Sequence, residues 1–167
     1  MSKVKFNLVG NTFTHLTNGN KGYSVHGKES KYIEWVGEDG EGTFYIDNTI
    51  NQGIVDKKDG PKYLWLLESR FIKPGLVESI IDNREAVEDA YETIFTHDQR
   101  LLALGDKYKW CPAQGFWIKD PKVYEKSKMI SMIASNKNMC EGHRLRLEWV
   151  DRIGDQLDLY GRGFKEI

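Results

Sequence analysis

A chain of 167 residues with 40% hydrophobic and 12% aromatic content is long enough to bury a real core, as one domain with a small appendage. Its 24 Lys and Arg balance 25 Asp and Glu to a formal charge of -1, which excludes an overall basic field for nucleic acid or an anionic membrane; any anion site must be local. Cys111 and Cys140 lie far apart with no CxxC spacing and no clustered His, arguing against a disulfide scaffold or a structural zinc. No metal is therefore expected, and the thiols are read as reduced. The start MSKVKFNLVG lacks a signal-peptide stretch and no window nears the roughly 20 apolar residues of a membrane span, so a soluble, cytoplasmic protein is expected.

In chain order, residues 4–9 predict a first strand ending at Gly10-Asn11. Residues 11–31 are polar and glycine-bearing without a period, and read as loop with at most one short helix. Aromatic and β-branched runs at 32–36 and 43–50 predict strands separated by turn-formers at 37–42, either paired or standing apart in the sheet. A turn-rich connection at 53–61 leads to KYLWLL at 62–67, apolar at consecutive positions and hence a strand covered on both faces. Residues 74–82 and 83–90 have helical or turn character, 91–95 reads as strand, 98–104 as a short helix capped by Asp98, and 107–111 as strand. Asp120-Pro121-Lys122 opens a short helical segment at 123–127, although the polar stretch 119–128 reads equally as a hinge, the reading favoured here. The last forty residues spell strand (129–134), polar break (135–138), helix (Leu145, Trp149, Ile153) and strand (157–160).

Strands alternating with helices over short connections imply a parallel sheet, and such sheets place ligands at the carboxyl ends of their strands. The expected fold class is therefore α/β. A Rossmann-like parallel sheet with flanking helices occupies 1–118, a hinge 119–128, and a strand-helix-strand in 129–167 begins a second Rossmann-like domain. The positions to inspect are Glu68-Ser69-Arg70, Thr96-His97-Asp98, residues 112–117 and Ser135-Asn136-Lys137.

LWLLES, YETIFTHDQRLL, YKWCPAQGFWI and KMISMIASNKNMCEGHRLRLEWVDRIGDQLDLYGRG, in that order, resemble the first half of glycosyltransferase family 10, the α-1,3-fucosyltransferases, in their phage and marine bacterial forms. The resemblance runs from about residue 62 to 163. Its most specific part is the SNK segment followed by an Arg-bearing helix and a strand ending in YGRG. It implies two Rossmann-like domains facing a cleft, the first holding a carbohydrate acceptor and the second the nucleotide sugar GDP-fucose, with no bound cofactor or permanent metal. It also implies a bacterial or phage-infected host, and that the chain carries the acceptor-side domain with only the opening of the donor domain, so that alone it should not transfer fucose.

By that resemblance Arg146 falls where the family has an arginine on the donor diphosphate, with Arg144 taking the place in a shifted register. A planar guanidinium near a helix N-terminus suits two phosphates gaining charge as a sugar leaves. Ser135 and Asn136 lie at the strand end beneath it, where small polar side chains admit a phosphate or ribose. Glu68 falls at the acidic position proposed as the base for the acceptor hydroxyl, and Trp65 and Phe71 are expected to desolvate it partly. His15, His26, His97 and Trp117 are candidates to line the acceptor sugar, with Trp110 and Phe116 as further stacking surfaces.

Plainer readings stand beside these. Glu68 can be a helix cap or a partner for Arg70, and Arg144 and Arg146 can form surface pairs with Glu148 and Asp151. His97 can be structural, His15 and His26 loop residues, and the aromatics core. The favoured function is the N-terminal part of an inverting fucosyltransferase-like enzyme; the alternative is a non-catalytic carbohydrate-binding or assembly module. Apolar positions of the last forty residues predict a homodimer through that segment, unless it folds back on the first domain.

Overall fold

From the N-terminus the chain forms β1 (Val4–Val9), β2 (Ile33–Val36), β3 (Gly42–Ile46), a 3-10 turn (Asp47–Thr49), α1 (Ile50–Val55) and β4 (Lys62–Trp65). It continues with α2 (Pro74–Asp82), α3 (Arg84–Ala90), β5 (Thr93–Thr96), α4 (Gln99–Leu102) and β6 (Tyr108–Trp110), then β7 (Ser131–Ile133), α5 (Glu141–Ile153), a 3-10 turn (Gly154–Gln156) and β8 (Asp158–Tyr160). This is a computed structural model that describes residues 2–10, 31–112 and 122–165. They fall into two units, Met1–Lys119 and Asp120–Ile167.

The first unit is a six-stranded, all-parallel sheet in the order β2-β1-β3-β4-β5-β6, an α/β fold of Rossmann-like kind. The register explains the two-sided apolar sequence. Tyr45, Leu64, Ile94 and Tyr108 are neighbours across four successive strands and all are buried. Against this row pack Ile50 of α1, Val77 and Ile80 of α2, Val87 of α3 and Leu101 of α4. Burying each such side chain contributes roughly 1.5–3 kcal/mol. Alternate residues point the other way, and there the sheet is aromatic. Phe6 lies edge-on to Phe44 at 5.2 Å, and Phe44 stacks on Tyr63 at 4.9 Å and on Phe95 at 6.0 Å.

The helices follow local rules. Pro74 sits at the first turn of α2, where its missing N–H removes nothing from the ladder. Asp98 caps α4 as expected, accepting from the Arg100 N–H at 2.9 Å. Gly53 lies inside α1 because a side chain there has no room: an added Cβ would lie 2.0 Å from the Tyr91 hydroxyl. That hydroxyl donates to the Ile50 carbonyl at 2.7 Å, fastening α1 to the core.

One expectation is corrected, and two alternatives left open by the sequence are decided. The run 43–50 is not one strand: β3 ends at Ile46, and Asp47 turns the chain with a φ of 44°. Thr49, β-branched and thus strand-like in sequence, instead ties off the strand end, its hydroxyl accepting from the Ile46 N–H at 2.8 Å. The 32–36 and 43–50 runs do not pair, since β1 lies between β2 and β3. Residues 123–127 are not helical. Val123 is 99% exposed, and a single turn with nothing to pack against does not repay helix nucleation.

The second unit is a βαβ unit in which β7 and β8 pair in parallel and α5 connects them, with Met132 opposite Leu159. The start of α5 is held by His143, whose Nδ1 accepts from the Met139 N–H at 3.2 Å.

One buried hydroxyl in the first unit links stability to pH. Tyr45 donates to the Asp56 carboxylate, and this bond, with the Lys58 N–H at 3.0 Å, holds Asp56 below the usual carboxylate range. A depressed carboxylate stabilises the fold above its unfolded pKa of about 4 and loses that contribution as pH falls through its folded value. Tyr45→Phe is expected to lower stability by about 1 kcal/mol at neutral pH. In urea unfolding the difference from the parent should be full at neutral pH and shrink below pH about 4; a deficit independent of pH would contradict the account.

Candidate functional site

The carboxyl edge of the sheet is organised by a carboxylate in its interior. Asp47, directly after β3, is 1% exposed, and its Oδ1 accepts from the backbone N–H groups of Leu67 at 2.9 Å and Glu68 at 3.3 Å. Its Oδ2 lies 3.7 Å from the Lys73 ammonium and has no hydrogen-bond partner among the described residues. An Asp tolerates the left-handed backbone at this corner better than most residues. The side chain thus sets the path of the segment that follows β4.

That segment carries Glu68. Its backbone is pinned by Asp47, while its carboxylate, half-buried, makes no hydrogen bond or ion pair among the described residues. The plainer reading of Glu68 as partner for Arg70 is not what the geometry gives. Arg70 Nη1 donates to both oxygens of Asp98 at 3.1 Å, so Asp98 serves at once as helix cap and ion partner. Phe71, expected to help desolvate Glu68, is 64% exposed, with the Arg70 guanidinium 5.4 Å from its ring centre. After β5, His97 has a buried Nδ1 without a partner among the described residues, beside Asp98, whose N–H bonds to Thr96 Oγ1 at 3.1 Å. At the end of β6, Trp110 is exposed rather than core, and burial raises the Cys111 thiol above its ordinary range.

In the second unit Ser135, Asn136 and Arg146 come together just past β7. Arg146 Nη2 donates to the Ser135 carbonyl at 3.0 Å and reaches that of Lys137 at 3.5 Å, while its Nε is buried without an acceptor among the described residues. The surface pairs weighed for Arg146 with Glu148 or Asp151 do not occur among the described residues; the guanidinium folds back on the loop. Arg144 is exposed and apart from this cluster. The loop after β8 closes against the same place: the Ala134 N–H bonds to the Tyr160 carbonyl at 2.8 Å. Gly161, at φ 112°, runs so close that an added Cβ would lie 2.1 Å from the Ala134 carbonyl oxygen. His15, His26, Phe116 and Trp117 lie outside the described residues.

Among the described residues no group of three or more His, Cys, Asp or Glu is placed to hold a metal, and no helix is long and apolar enough to cross a membrane. Lys73 and Asp47 were missed in the sequence. Reading β3 four residues too long hid Asp47 inside a strand, and Lys73 read only as the residue before a helix-starting proline. No protein-family model matches the sequence, and neither a curated protein nor a solved structure is significantly similar to it.

Asp47→Ala is expected to cost about 2–3 kcal/mol in urea unfolding, because it strands two backbone donors and puts Ala at a left-handed φ. Asp47→Asn keeps an acceptor and tolerates the backbone, and should cost markedly less. Equal losses for the two variants would show that the amide acceptor is not what matters.

Proposed function

We propose that the chain is part of an inverting glycosyltransferase of fucosyltransferase type, its first unit facing a carbohydrate acceptor and its second the diphosphate of GDP-fucose or a related nucleotide sugar. The observation that carries the reading is the uncommitted carboxylate of Glu68. Around it, Asp47 is taken by backbone amides and Lys73, and Asp98 by Arg70 and a helix start, whereas Glu68 has no structural partner among the described residues. A carboxylate at a strand's carboxyl end with no other employment suits a general base. In the reaction Glu68 takes the proton of the acceptor hydroxyl, whose oxygen forms the new bond to the anomeric carbon as the bond from that carbon to the diphosphate oxygen breaks. Arg146, with Ser135 and Asn136 at the end of β7, stabilises the charge left on the diphosphate. No bound cofactor is required by this scheme.

The test is transfer from GDP-fucose to a panel of glycan acceptors, assayed with this chain and with any longer polypeptide that contains it. Glu68→Gln is expected to lower kcat by about 100-fold or more with the thermal midpoint unchanged, the usual contribution of a general base. A loss of stability in place of rate would return Glu68 to a structural role.

The second reading, a carbohydrate-binding module without catalysis, is favoured by one observation. Two clefts among the described residues are lined around Lys73 and Asn48, and Glu68 lines neither.

The reading extends to a homodimer through the second unit, where Met129 is 95%, Ile133 74%, Leu145 53% and Trp149 47% exposed. Light scattering should give twice the chain mass, and Trp149→Glu should return it to the monomer; a monomeric parent would remove this part of the proposal.

A further inference from the structure

Every described helix of the first unit lies on one face of its sheet. From β3 to β4, β5 and β6 the chain always steps the same way across the sheet, and α1, α2, α3 and α4 all pack on the face of Tyr45 and Leu64. The short return from β2 over β1 to β3 steps that way too, on the same face. There the Gly40 N–H donates to Asn7 Oδ1 at 3.0 Å, and Asn7 lies opposite Thr43, two residues before Tyr45. The step from β1 to β2 runs the other way. Connections between parallel strands keep one hand almost without exception, because a right-twisted strand packs its crossover back on the sheet only that way. At constant hand, a reversed step puts the connection on the opposite face, and here that is the aromatic one.

Burial on the aromatic face agrees. Leu8, opposite Phe44, and Ile46, two residues further along β3, point to it and are 6% and 1% exposed. Packed with them among the described residues are Trp35, Phe44, Trp65 and Leu67, from strands or a strand end and none from a helix. Neighbours within a sheet do not shield a side chain from above. Cover over Leu8 and Ile46 therefore comes from a further layer.

The length of chain between the two strands fits that task. β1 ends at Val9 and β2 begins opposite Val4, so the connection returns about 17 Å along the strands and moves over by about 5 Å. Residues 10–32 far exceed what an extended chain needs for this, and exceed the roughly dozen residues of a minimal parallel crossover. They bring Phe13, Leu16, Tyr23 and Val25 as apolar groups.

We infer that the aromatic face of the first unit is an internal docking surface whose occupant is the chain's own segment 11–30, laid across Phe6, Leu8, Phe44 and Ile46. The sheet is then covered on both faces by one chain, as all-parallel sheets require, and this face is closed to other partners.

The experiment is an NOE measurement on the full chain with leucine and valine methyls labelled. The methyls of Leu16 or Val25 should show NOEs to the rings of Phe6, Trp35 or Phe44, and none to Val77 or Ile80 on the helix face. In a mixture of labelled and unlabelled chains, filtered spectra should contain no such NOE between chains. The double variant Phe13→Ser/Leu16→Ser should lower the thermal midpoint by roughly 5 °C or more, as expected for two buried apolar side chains. Contacts of these methyls with Val77 or Ile80 overturn the assignment. So do contacts to the aromatic rings from Leu145 or from a second chain in place of segment 11–30, no contact at all from that segment, or an unchanged midpoint. None of these readouts depends on glycosyl transfer, so the role of Glu68 is decided by its own assay.

Discussion

A single buried carboxylate holds the working edge of this sheet in place. Asp47 ends β3, adopts a backbone conformation that most residues avoid, and gives one oxygen to two amides of the segment following β4. Without it those part-buried N–H groups would lose their acceptor, and the corner between β3 and α1 would have to be redrawn. Its other oxygen positions Lys73 ahead of α2. Glu68, Lys73 and the start of α2 therefore take their places from one residue, and every functional statement about this edge rests on it.

The layers of the fold were legible because the periodicities were strong. KYLWLL reads as a strand covered on both faces; in the sheet Leu64 is buried under the helices beside Tyr45 and Ile94, while Trp65, only half-buried, points to the aromatic side beside Phe95. What could not be read was the order of the strands. That β1 inserts between β2 and β3 depends on pairing over long sequence separations, for which local pattern carries no signal, and a crevice between β1 and β3 was hidden with it. In the segment 123–127, where the sequence left helix and hinge open, the helix does not form, for a different reason. Its residues accept a helix, but helices of that length are made by packing, and Val123 has none.

The candidate site divides along the same line. Glu68, His97, Ser135 and Asn136 were singled out because each follows a run that reads plainly as strand, and Arg146 because it falls at an arginine position of the family the sequence resembles. Asp98 was recognised as a cap, yet its bond to Arg70 joins residues far apart in sequence and was invisible. Asp47 was lost to Thr49 and Ile50, whose β-branched side chains extend the strand pattern past its true end. There a hydroxyl capable of bonding to the backbone outweighed strand propensity.

The aromatic face of the first unit has a spectroscopic consequence. Trp35 of β2 and Trp65 of β4 stack with ring centres 6.4 Å apart and planes 16° from parallel. Their strands are not neighbours: β1 and β3 run between them, and at about 4.8 Å per strand the backbones stand about 14 Å apart. Two indoles so close and so fixed share their electronic excitation, and their coupled transitions give circular dichroism that neither produces alone. The coupling exists only while β2 is docked at the edge of the sheet. The chain thus carries an intrinsic optical gauge of whether its outermost strand is in place, separable from the tyrosine signals of the helix-covered core.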